Sequence, residues 1–168
     1  MTKTLWILLF SSAGVVLAQS PRGTAELELN GSSLAIEYGR PSLGGRDMLG
    51  QAPVGHVWRL GADQATTMTV EGAAVFGNMV AREGAYSLFL ERSSSDKWSL
   101  VINTQTGQWG TEHDPERNVL GIPLKWEKQE ELVETLTIDL IKETDETGIL
   151  SIAWGNDLLR QRFRLVPQ

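Results

Sequence analysis

Residues 25–38 read AELELNGSSLAIEY, and this stretch decides the fold class. Leu27 and Leu29 alternate with Glu26 and Glu28, and Leu34, Ile36 and Tyr38 alternate with Ser33, Ala35 and Glu37. Side chains of a strand point to opposite faces in turn, so each run puts its apolar residues on one face. Asn30-Gly31 lies between the runs, and that dipeptide accepts the positive φ angles of a tight hairpin turn. The stretch predicts two antiparallel strands, half buried and half solvated.

The same period recurs down the chain. Thr66, Met68 and Val70 share a face, as do Tyr86, Leu88 and Leu90, with Ser87, Phe89 and Glu91 opposite. Trp98, Leu100 and Ile102 form a further face, then Leu120, Ile122, Leu124 and Trp126, where Pro123 argues for an edge strand. Leu136, Ile138 and Leu140 follow, then Leu150, Ile152 and Trp154 after the turn TDETG. The last strand turns Phe163 and Leu165 inward and Arg160, Arg162 and Arg164 outward. Only 127–134, EKQEELVE, competes as a short helical turn. Many short alternating strands separated by turns predict an all-β fold. The expected architecture is an antiparallel two-sheet sandwich, with a jelly roll as its variant, carrying a long ordered loop over one face.

The chain opens MTKTLWILLFSSAGVVLAQ. Lys3 precedes an apolar run from Leu5 to Leu17, and Val16-Leu17-Ala18 has the small–x–small form of a cleavage site. Ser11 and Ser12 interrupt the run, which falls short of the roughly 20 apolar residues of a membrane span. Residues 1–18 are expected to be a signal peptide cleaved between Ala18 and Gln19, and residues 19–168 one β-sandwich domain, periplasmic or secreted and not inserted in the membrane. The 168-residue chain has no cysteine, so neither a lipid anchor nor a disulfide is available to it. Loss of Lys3 takes the net charge from −6 to −7. That balance disfavours nucleic acid as a partner, which requires a basic footprint.

Between Gly39 and Asp63, within EYGRPSLGGRDMLGQAPVGHVWRLGADQATT (Glu37–Thr67), the alternation stops. The stretch is about twice as long as structureless loops of compact domains usually run, roughly 12–15 residues. Met48, Leu49, Val54, Val57, Trp58 and Leu60 ask for burial, so an ordered, packed excursion is expected. DMLG suggests one helical turn and HVWRL a short strand. Two readings of Arg40, Arg46 and Arg59 stand. In one they pin the loop, with Asp47 and Asp63 as partners, since a guanidinium staples several acceptors at once. In the other they line a pocket for a small polar or anionic ligand, with Trp58 as a flat wall.

YGRPSLGGR (Tyr38–Arg46), VWRLGADQATT (Val57–Thr67), EGAYSLF (Glu83–Phe89) and QWG (Gln108–Gly110) resemble, in this order, the bacterial exported family called domain of unknown function 2911. The resemblance spans nearly all of residues 19–168. It implies an export signal and a similar size, and it brings no established activity with it. Tyr38, Gly39, Arg40, Pro41, Arg46, Trp58, Arg59, Gly61, Ala62 and Thr66 match the family pattern. That pattern usually has Asn and Glu where this chain has Asp63 and Gln64, which exchanges acid and amide.

Other chemistry is sparse. His113, among Glu112, Asp114 and Glu116, offers too few nitrogen or sulfur ligands for zinc and too open an oxygen set for calcium, so no metal and no cofactor is expected. No nucleophile motif occurs. Ser42, His56 and Asp63 could form a triad on paper, and triads are recognised by geometry. Trp98 and Trp154 fall on apolar faces, whereas Trp109 sits among turn residues and suits a pocket rim. The candidate ligand-binding set is Arg40, Arg46, His56, Trp58, Arg59, Asp63, Gln64 and Trp109. Three functions compete: an envelope binding module, an interaction component of an envelope protein complex, and a small hydrolase using His56 and Asp63.

Overall fold

The computed structural model describes residues 19–167; the expected signal peptide, 1–18, lies outside the described residues. The strands are β1 (Arg22–Leu29), β2 (Ser32–Gly39), β3 (Val57–Arg59), β4 (Thr66–Phe76), β5 (Met79–Arg92), β6 (Trp98–Asn103), β7 (Asn118–Lys142) and β8 (Thr147–Val166). A turn of 3-10 helix, Pro115–Arg117, precedes β7. The opening hairpin is as expected: β1 and β2 pair from Arg22↔Gly39 to Leu29↔Ser32, and Asn30 and Gly31 take φ of 52° and 73°. Both positive angles match the twist of the flanking strands.

The pairings between these strands are all antiparallel among the described residues, with one isolated parallel bridge, Val54 to Arg92, and the strands form one sheet in the order β1-β2-β4-β8-β7-β6-β5-β3. β4 also pairs with β5, so the path β4–β5–β6–β7–β8 returns to β4 and closes on itself. The all-β antiparallel expectation holds. The hydrogen bonds do not divide the strands into two sheets, and strands β4 to β8 pair in chain order, unlike the Greek keys of a jelly roll. The physical reason is that alternation reports only an inward face. A curled sheet and two facing sheets both provide one.

Long strands carry the sheet round by changing partners. β4 pairs with β2 along Thr67–Glu71 and with β8 along Ala73–Val75. The change falls at Gly72, φ 85°, where a Cβ would meet Val166 O and Ser32 Oγ at 2.5 Å. β7 pairs with β6 from Asn118 to Leu124 and with β8 from Lys125 to Lys142. Pro123 therefore sits before the β8 register begins, where its missing N–H costs no ladder bond.

Residues 127–134 do not form a helical turn. They belong to β7, whose register against β8 shifts between Lys128 and Val133 and again before Thr137. The Asn156 side chain donates to Gln129 O and Glu130 O. Those carbonyls are satisfied across the sheet, where a helix would have used its own amides.

Most of the predicted inward faces are buried, including Leu34, Ile36, Met68, Leu88, Leu100, Ile122, Ile152, Trp154 and Phe163, while Leu27, Tyr86, Leu120, Trp126 and Leu140 are partly buried. Ser87 and Phe89, placed on the opposite face, are buried too, as is Val101. The segment after β6 lies over them. Gln108 Nε2 donates to Ser87 Oγ (2.9 Å), and the His113 ring lies 4.7 Å from that of Phe89.

The excursion is ordered and does two separate things. Its first part runs along the outer edge of β7. Leu43 N donates to Glu134 O (2.8 Å), Leu136 N to Pro41 O (3.0 Å), and Ser42 bridges Thr135. An open strand edge with orphan backbone groups is thereby covered. Its second part enters the edge of β5 as β3, pairing Val57–Arg59 with Glu91–Phe89. Between them DMLG makes one turn, closed by Gln51 N on Asp47 O (3.2 Å). Leu49 and Leu60 are buried as expected, and Leu43 is buried with them; Met48, Val57 and Trp58 are half-buried, and Val54 is exposed.

Candidate functional site

Most motif residues of the excursion have structural work. Tyr38 Oη donates to Ile138 O and accepts from Ile138 N. A Cβ on Gly39 would meet Ala62 O at 2.2 Å, so the two halves of the excursion touch through a glycine. Gly61 takes φ 105°, and a Cβ there would lie 2.8 Å from Gly39 O. Thr66 Oγ1 donates to Leu60 O. Trp58 stacks on buried Trp154 with centroids 6.0 Å apart and 16° between planes, so one face of the expected flat wall is already covered.

The arginines divide. Arg40 is structural: its Nε donates to Leu136 O (3.3 Å) and its Nη2 to Thr137 Oγ1 (3.5 Å). Arg46 Nε reaches only Leu43 O (3.1 Å). The carboxylate partners expected for them are engaged elsewhere. Asp47 Oδ1 accepts from Gly50 N and Asp63 Oδ2 from Ser20 N. Opposite charges close in sequence invited that pairing, but the carbonyls of β7 and of the turn itself stand closer. The main clamp is a residue outside the candidate set. Arg92, at the end of β5, donates to Gly50 O (2.9 Å), Ala52 O (3.3 Å), Ser94 O and Ser95 O, and lies 5.4 Å from the centroid of the Trp98 ring.

Arg59 is different. Arginine ion pairs among the described residues belong to Arg117, Arg160 and Arg162, and Arg59 takes part in none, nor in a side-chain hydrogen bond. It stands exposed on β3, and its stem passes Gly110, where a Cβ would lie 3.7 Å from Arg59 Cβ and Cδ. That is ordinary contact distance, and the tighter neighbour of such a Cβ would be Asp63 O at 3.1 Å. Arg59, Trp58, Phe89, Gly110, Thr111 and His113 line a cavity of about 400 Å³ with Val57. That lies within the usual range of small-molecule sites, about 300–1,000 Å³.

The fold brings His113, outside the candidate set, to this cavity. Asn118 Oδ1 accepts from Asn103 Nδ2 (2.9 Å) and from His113 Nε2 (2.8 Å). An oxygen at that position requires Nε2 to carry the proton, which leaves Nδ1 as the ring's acceptor when neutral. The signal that could have found His113 was its place three residues after the QWG motif.

The remaining candidates stand near the cavity or away from it. Ala65 N donates to Gln108 O and Gly110 N to Asp63 O, and Gln64 bridges Trp109. This short ladder joins the WRLGAD and QWG motifs behind Arg59. Asp63 takes φ 63°, a conformation that Asn and Asp tolerate best among side-chain-bearing residues. Trp109, 40% exposed, sits on the ladder outside the cavity lining. His56 is exposed and its Nδ1 lies 3.2 Å from Val54 O. Ser42, His56 and Asp63 make no hydrogen bond to one another among the described residues, so the triad on paper is not assembled. No group of three or more His, Cys, Asp or Glu that could hold a metal occurs among them either.

Comparison with curated proteins and with solved structures finds no match. A family model described as a protein of unknown function, DUF2911, matches residues 20–162, and the chain belongs to that family.

Proposed function

We propose that this chain is an exported binding module that takes a small anionic molecule in the cavity lined by Arg59, Thr111 and His113. One observation carries the reading. Of Arg40, Arg46 and Arg59, Arg40 is spent on the edge of β7 and Arg46 is held to its own turn through Nε, while Arg59 lines a cavity with its whole guanidinium free of hydrogen bonds and ion pairs among the described residues. A guanidinium held on a strand, with its fork unspent, is suited to a carboxylate or phosphate-like group. Phe89 and Trp58 supply the apolar walls that such sites combine with a few polar groups. The N-terminal sequence supports export, and the acidic balance supports a small ligand over nucleic acid.

The test is a thermal-shift screen followed by calorimetry. Phosphate, sulfate, mono- and dicarboxylates, sugars and peptidoglycan fragments are screened against the native protein and Arg59→Ala. A ligand at 100 times its dissociation constant adds about 2.7 kcal/mol of stability. The expected result is an anion that stabilises the native protein and not the folded variant. Equal stabilisation of both would remove Arg59 from the site, and no anion acting at all would end the reading.

A further inference from the structure

Away from Arg59, two cavities of about 390 and 270 Å³ adjoin where the first half of the excursion meets β7 and β8. Asp47, Lys128 and Asp157 line both, so they form the wall between them. Asp157 is a carboxylate only 3% exposed. Its Oδ1 takes the ammonium of Lys128 (2.8 Å) and the indole N–H of Trp126 (2.7 Å), and Oδ2 takes neither. Asp47 likewise uses Oδ1, for Gly50 N. The shared wall therefore sets two carboxylates beside one ammonium, with Arg92 lining the smaller cavity and Arg46 and Glu134 the larger. The Oδ2 atoms of Asp47 and Asp157 make no hydrogen bond or ion pair among the described residues and are open to a further cationic donor.

The larger cavity adds the opposite chemistry. Arg46 lines it, and its Nε bond to Leu43 O fixes the guanidinium while the two terminal nitrogens make no hydrogen bond or ion pair among the described residues. That fork matches a carboxylate in shape and charge. The smaller cavity is lined by Trp98, whose buried Nε1 meets no acceptor among the described residues. A buried donor left unpaired is costly, and such groups are few in native proteins.

We propose that these adjoining cavities form a second binding site, for a small zwitterion: an α-amino acid or short peptide with a free ammonium and a free carboxylate. The ammonium lies against Asp47 and Asp157, and the carboxylate on Arg46. Asp157 and Lys128 are also register partners across β7 and β8, so Asp157 has a structural role as well. For that reason the decisive variant is at Arg46, which joins no strand to another.

Isothermal titration calorimetry with alanyl-alanine tests this, using N-acetyl-alanyl-alanine and alanyl-alanine amide as the forms lacking one charge each. The free dipeptide is expected to bind at least about tenfold more tightly than either blocked form. Arg46→Lys keeps the charge and removes the fork. It is expected to weaken the free dipeptide about tenfold and to leave the amide unchanged, because the amide has no carboxylate to lose. Arg59→Ala is expected to bind the dipeptide normally, which separates this site from the proposed anion cavity. No heat with alanyl-alanine, equal affinity for the acetylated form, or loss in Arg59→Ala with retention in Arg46→Lys would each overturn the proposal.

Discussion

The hydroxyl of Tyr38 serves both backbone groups of Ile138, accepting from its N–H at 2.8 Å and donating to its carbonyl at 3.2 Å. One side chain thus replaces a neighbouring strand at that point of β7. Arg40 on Leu136 O and Pro41 O on Leu136 N continue the same seam. Tyr38→Phe keeps the buried ring and leaves both groups of Ile138 without that partner. Each unsatisfied buried backbone group costs about 1–3 kcal/mol. Urea denaturation is expected to show a loss of about 2–4 kcal/mol with an unchanged m-value. A loss under about 0.5 kcal/mol, the size of an ordinary surface substitution, would show that water replaces the hydroxyl at no cost.

The clamp on the excursion gives a second prediction. Arg92 holds Gly50 O and Ala52 O with one nitrogen, and Ser94 O and Ser95 O with the others. Arg92→Ala strands several carbonyls near the smaller cavity and uncovers the Trp98 ring. The expected loss is about 2 kcal/mol, in the range for hydrogen bonds to charged groups. Hydrogen exchange in residues 47–55 should accelerate more than in β6 or β8, because the clamp acts locally. Uniform acceleration would place Arg92 in the global core of the fold.

How much of this was legible beforehand depends on range. Asn30-Gly31 states its turn within two residues, and the alternation of β4, β6 and β8 states which side chains face inward. Neither carries information on which strand lies next to which, so closure through β4–β5 and β4–β8 was out of reach. The same limit hid the seam from Tyr38 to Ile138, whose partners lie 100 residues apart. Arg92 ends a well-read strand and precedes SSSD, and nothing local links it to Gly50. In the candidate site, Arg59 and Trp58 were legible from the motif itself. Thr111 and His113 were not placed, because the ladder between Asp63 and Gly110 that delivers them is long-range. The close approach of Gly39 to Ala62 gives two of the motifs a shared physical reason that appears only once they meet.

The tip of the β7–β8 hairpin carries a pH-sensitive pair. Lys142 Nζ lies 2.7 Å from Asp145 Oδ1, and that hydrogen bond, with the lysine's charge, holds the Asp145 carboxyl below its ordinary value. A carboxyl depressed in the folded state adds stability above its unfolded value, and that contribution fades as pH falls through the folded value. Both groups are exposed, so the effect on global stability is small. Carboxyl chemical shifts are expected to show Asp145 titrating at lower pH than an unpaired aspartate. In Lys142→Ala its midpoint is expected to rise, and an unmoved midpoint would refute the pairing in solution.

Arg59 supports the sharpest functional prediction, because its structural cost is expected to be near zero. It is exposed and joins no hydrogen bond or ion pair among the described residues, so Arg59→Ala should lie within about 0.5 kcal/mol of the native stability. Arg59→Lys is the more discriminating variant. It keeps a positive charge at the cavity and removes the planar fork. If the bound anion is gripped by two parallel N–H bonds, Arg59→Lys is expected to lose about tenfold in affinity while Arg59→Ala loses more. If charge alone attracts it, the lysine variant binds as well as the native protein and raising the salt weakens both alike. Calorimetry on the three proteins at two ionic strengths separates these outcomes. A large fall in stability for either variant would instead assign Arg59 to the scaffold, alongside Arg40.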